Sequence, residues 1–136
     1  MIEMELSPDL GVDAIELHFA AGLPGFAALH HFTLTPWGSE SSPFLTMVSA
    51  EDPSVGFVVV SPFDFFPEYD FDLDEATTVR LGLVEPTDCV VLCIVTLADR
   101  PEDATVNLLG PIVINRFTLE ACQAVLPSVQ IGRAHV

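Results

Sequence analysis

The chain has 136 residues, with 4 Lys+Arg against 20 Asp+Glu, a formal net charge of −16, 50% hydrophobic residues and 11 prolines. That length and apolar content suit one globular domain with its own core, and the ten Phe exclude a disordered acidic tail. Every basic residue is Arg and none is Lys, so a surface that neutralises phosphates cannot be assembled, which argues against nucleic acid and membrane as direct partners.

Met1 to Leu10 carries Glu3, Glu5 and Asp9 where a signal peptide would be basic, and no apolar run reaches membrane length, so a cytoplasmic protein is expected. Asp13–Phe19 alternates, with Ile15, Leu17 and Phe19 on one side and Glu16 and His18 on the other, as a half-buried strand does. Gly22-Leu-Pro-Gly25 then breaks the run as a turn. Short apolar runs follow at His31–Thr35, Phe44–Ser49, Val55–Ser61, Cys89–Leu97, Thr105–Leu109 and Ile112–Asn115, each bounded by Pro, Gly, Ser or Asp.

This cadence predicts an all-β domain, a small antiparallel barrel or sandwich. Gly56–Val60 and Cys89–Thr96 are apolar on both parities, which predicts central strands covered on both faces. Asp74-Glu75 ahead of Ala76–Leu81 place acids at the start of one short helix. Leu119–Leu126 reads as either helix or strand. Three cysteines, an odd number, fit reduced thiols better than a disulfide framework, and Cys89 and Cys93 are expected to be buried on one strand face. His18, His30, His31 and His135 complete no recognised ligand spacing, so no metal or cofactor is expected.

The densest charge lies between Asp64 and Glu75, where six acids in twelve residues alternate with four aromatics. A calcium loop starting at Asp70 would need Gly at its sixth place and Glu at its twelfth, and the chain has Glu75 and Leu81 there. A regular row of carboxylates also lacks the contrasting environments that acid–base catalysis needs. No nucleophile elbow, phosphate loop or zinc-protease motif is present, and the expectation is a protein that is not an enzyme. The site residues selected on these grounds are Phe65, Phe66, Glu68, Tyr69, Asp70, Asp72 and Asp74. The aromatics are read as anchors and the acids as groups that select a basic partner. A solvated strand face over a core of Phe66, Tyr69 and Phe71 is the competing reading, and salt adaptation competes as the source of the acid excess. Asn107 and Asn115, flanking an apolar strand, are read as satisfying backbone groups.

Five segments carry a family resemblance: Gly22-Leu-Pro-Gly-Phe26; Ser49-Ala-Glu-Asp52 leading into Gly56-Phe-Val-Val-Val-Ser-Pro62; Phe66-Pro-Glu-Tyr69 with Phe71-Asp-Leu-Asp74; Asn107-Leu-Leu-Gly-Pro-Ile-Val-Ile-Asn115; and Gln123-Ala-Val-Leu126. In order and spacing, over residues 13 to 126, the chain resembles the flagellar assembly factor FliW family. The resemblance implies a β-barrel-like, non-enzymatic binding protein, monomeric when free, with two partners: flagellin and the RNA-binding translational repressor CsrA. In that scheme FliW holds the repressor away from the flagellin transcript until new flagellin claims FliW, and secretion of flagellin frees it again. A flagellin-specific chaperone or secretion adaptor without repressor binding is the alternative. The chain departs from the family pattern at Met47-Val-Ser49, where Leu-Gln-Ser is usual, and at Gly110, where Ala is common before Pro111. Residues 1–130 are expected to form the domain. Ile131–Val136 reads as a translation of a common sequencing-adapter DNA and is expected to be a non-native tail.

Overall fold

A computed structural model describes residues 14–38 and 42–127 and the backbone of Arg133–His135. Its strands are β1 (Ile15–Phe19), β2 (His31–Pro36), β3 (Leu45–Ser49), β4 (Gly56–Val60), β5 (Cys89–Thr96), β6 (Thr105–Asn107), β7 (Ile112–Asn115), β8 (Glu120–Gln123) and β9 (Arg133–His135). One helix, α1 (Glu75–Leu81), interrupts them. The strands run in the order β4-β3-β2-β1-β8-β7-β5, and pairing of β4 with β5 closes these seven into a barrel. β6 pairs antiparallel with the end of β5, and β9 pairs with β6 through Thr105, Val106 and Asn107. Ile131, Gly132 and Val136 of the expected tail lie outside the described residues.

Among the described residues all strand pairings are antiparallel except one, since β8 lies parallel to β1. The expected all-β barrel with one short helix is therefore the observed class, with this one parallel seam added. The seam depends on the turn after β7. Leu119 there takes a φ of 65°, and its carbonyl accepts from His18 N at 3.1 Å. A non-glycine residue in the left-handed region is strained, so this turn must be held from outside. Asn115 holds it, with Oδ1 accepting from Phe117 N at 2.8 Å and Thr118 N at 3.2 Å.

Two apolar clusters explain the doubly apolar strands. Leu17, Phe19, Phe32, Leu34, Met47, Val59, Val90, Leu92, Ile112 and Ile114 fill the barrel. Val60, Cys93 and Val95, of opposite parity on β4 and β5, join Tyr69, Ala104, Val106 and Leu108 in a second cluster. The covering layer of that outer face is aromatic, since Phe63, Phe65, Phe66 and Phe71 pack against it. Full burial of a Phe side chain is worth about 1.5–3 kcal/mol, so even the partial burial of these four rings makes segment 61–74 part of the folded unit.

Candidate functional site

Segment 61–74 starts in a 3-10 turn at Pro62–Asp64, whose Pro62 carbonyl accepts from Phe65 N at 3.2 Å and Phe66 N at 2.8 Å. Tyr69 fastens the middle of the segment, because its buried hydroxyl donates to the Leu108 carbonyl at 2.6 Å. Its ring lies between those of Phe63, at 5.8 Å, and Phe71, at 5.3 Å. Burial pushes the phenol well above its ordinary value, so it stays protonated and able to donate. Phe65 meets Phe44 at 6.3 Å, and Phe44 meets the exposed Trp37 at 5.8 Å.

The seven sequence-selected residues are thus one segment with two sides. Glu68, Asp70, Asp72 and Asp74 are exposed, whereas Phe65 and Phe66 are half-buried. Tyr69 is only 4% exposed. The ring and hydroxyl of Tyr69 are committed to the second core, which favours the competing reading of this residue as core, and they fix the strip in place. Asp74 also has a structural task. Its Oδ1 accepts from Thr77 N at 2.8 Å, capping α1, and Thr77 holds its carboxyl below the usual carboxylate range.

Beside the acids opens a groove of about 1040 Å³. Phe63, Phe71 and Leu73 line it from the acidic segment, Leu83 and Val84 from the loop after α1, and Val90 and Val91 from β5. Asp72, Glu85 and Arg116 bring charge to it. That loop follows the end of α1, where Gly82 at a φ of 70° turns the chain and Leu83 N donates to Thr78 O at 3.0 Å. Asp88 then fixes the loop, its Oδ2 accepting from Val84 N and Glu85 N, each at 2.9 Å. These two N–H groups hold its carboxyl below its ordinary value. Leu83, Val84, Val90, Val91 and Arg116 were not selected from sequence. The available signal was Leu83-Val84, an apolar pair placed between a helix-ending Gly82 and Glu85-Pro86.

Other polar clusters are structural. Glu51 accepts from His30 N at 3.1 Å and from His31 N and Nδ1 at 3.0 Å each, while Ser49 Oγ accepts from Glu51 N and Asp52 N. Ser49-Ala-Glu-Asp52 is therefore a turn that locks β3 to the start of β2. The free thiols are raised by burial, Cys93 to about 12, and remain protonated. Among the described residues no group of three or more His, Cys, Asp or Glu is disposed to hold a metal ion. No described helix is long and apolar enough to cross a membrane.

A profile described as FliW protein matches residues 7–135. The chain belongs to the FliW family. The flagellar assembly factor FliW of Bacillus subtilis (strain 168) is 44% identical over 108 residues, which is 79% of this chain and 75% of that protein. The flagellar assembly factor FliW of Treponema pallidum (strain Nichols) is 33% identical over 121 residues, 86% of this chain and 79% of that one. A crystal structure of the flagellar assembly factor FliW superposes with a TM-score of 0.79 at 33% identity, covering 89% of this chain and 83% of the other.

The two departures from the FliW pattern sit in packed places. Met47 is fully buried in the barrel and Val48 packs beside Gly56, where a Cβ would lie 3.2 Å from Val48 Cγ2. Gly110 accepts at its carbonyl from Gln123 Nε2 at 2.9 Å, and a Cβ there would stand 2.8 Å from that same nitrogen.

Proposed function

We propose that this FliW-family protein acts by binding, without catalysis, and that its partners are flagellin and the RNA-binding translational repressor CsrA. The observation that carries the reading is the row of exposed carboxylates at Glu68, Asp70 and Asp72 on a segment pinned by Tyr69. Carboxylates of one sign on a fixed backbone attract a basic surface from a distance and repel a polyanion competing for it. A basic RNA-binding protein docked there is screened from its transcript by the same charge. Flagellin that takes the protein over frees the repressor, and export of flagellin returns the protein to it, so synthesis follows secretion in the cytoplasm.

Pull-down of purified flagellin and of purified CsrA, each alone, tests the proposal. Retention of both is expected. Retention of flagellin alone would convert the reading to that of a chaperone or secretion adaptor, and retention of neither would overturn it.

A further inference from the structure

We infer that the groove between the acidic strip and the loop of residues 83–87 docks an amphipathic segment of a protein partner, with apolar side chains inward and Lys or Arg at its flanks. This deepens the binding reading above, on which it rests for the identity of that partner.

Three observations fit such an occupant. The groove is lined by apolar side chains from both segments, Phe71 and Leu73 of the strip and Leu83 and Val84 of the loop. Val84 is 87% exposed, and Asp88 binds the backbone N–H groups of Val84 and Glu85, so the loop is held with this valine in water. Tyr69 fixes the strip through Leu108. Both segments are set before anything binds, which lowers the ordering cost of docking.

Charge then selects the occupant. Asp72 and Glu85 line the groove, and Glu68 and Asp70 are exposed on the same strip. The cation at the groove, Arg116, lies over the Phe117 ring at 5.2 Å from its centroid. An acidic segment would meet like charge there, whereas a basic one gains attraction while its apolar residues leave water.

The test uses the full chain and three designed peptides of equal length: an amphipathic Leu/Lys peptide, a Ser/Lys peptide of the same charge, and a Leu/Glu peptide. Fluorescence anisotropy gives affinity, and amide chemical-shift mapping gives location. The Leu/Lys peptide is expected to bind at least tenfold more tightly than either other peptide, perturbing the amides of Leu73, Val84 and Val90. Val84→Ser, at an exposed position that the fold does not need, is expected to weaken it at least fivefold. Equal binding of Leu/Lys and Ser/Lys, perturbation confined to residues away from the groove, or an unchanged affinity in V84S would overturn the inference. Neither flagellin nor CsrA is used, so failure here is distinguishable from failure of the partner assignment.

Discussion

Asn115 carries more of this structure than its size implies. It is 4% exposed, its Nδ2 donates to the Leu81 carbonyl at 2.7 Å, and its Oδ1 receives the two N–H groups that steady the turn before β8. Replacing it by Leu strands one carbonyl and two N–H groups, a loss of about 2–4 kcal/mol. Urea denaturation should report that loss, and a change below about 0.5 kcal/mol would contradict the assignment. Glu51 predicts a pH effect. Hydrogen bonds from His31, its backbone N–H first, draw the Glu51 carboxyl from 4.5 to about 2. A carboxyl depressed on folding adds stability above its unfolded value and loses that addition as pH falls through the folded one. Glu51→Gln should therefore flatten the decline in stability between about pH 4.5 and about pH 2; parallel acid-denaturation curves would contradict this. At this scale the role of Asn115 was legible, because Asn beside an apolar strand has backbone groups to satisfy. The sequence admits two readings of the side taken by Tyr69, although its parity with Phe71 and Leu73, opposite Asp70 and Asp72, is the signal that places it inward.

Helix α1 is only seven residues long, too short to persist by propensity, so its ends and its docking decide it. Asp74→Ala should release Thr77 N and speed hydrogen exchange at that amide, and unchanged protection there would argue against the cap. The same cap makes Asp74 a poor probe of the interface, since a lost partner and a loosened helix would look alike. Gly82→Ala forces a side chain into the left-handed region at a cost of about 1–2 kcal/mol, readable as a lower melting temperature; an unchanged melting temperature would show that the helix end can relax. The acids at the start of α1 and the punctuated strands made these elements legible. Residues 119–126 were not, because Ala121, Cys122 and Gln123 favour helix or are neutral in isolation, while pairing on both sides, with β1 and β7, makes them a strand. The groove escaped for the same reason: its walls come from segments 63–73, 83–87 and 89–91, and only the folded chain brings them together.

For the whole molecule, the alternation and the both-parity runs of β4 and β5 were enough to indicate an all-β domain. Closure through β4–β5 and the parallel seam were not legible, since both are pairings between distant parts of the chain. The net charge of −16 sets the long-range field, and in the proposed reading the exposed acids beside the groove are where a basic partner meets it. Binding through such a face must weaken as salt rises, because ions screen exposed charges beyond about 8–10 Å. Calorimetric titration of CsrA into the native chain and into the Asp70→Lys, Asp72→Lys double variant, at low and at high salt, tests this most directly. The account predicts at least tenfold weaker binding by the variant at low salt, a smaller salt dependence than the native chain, and an unaltered melting temperature. Equal affinity of the two proteins at low salt would contradict it.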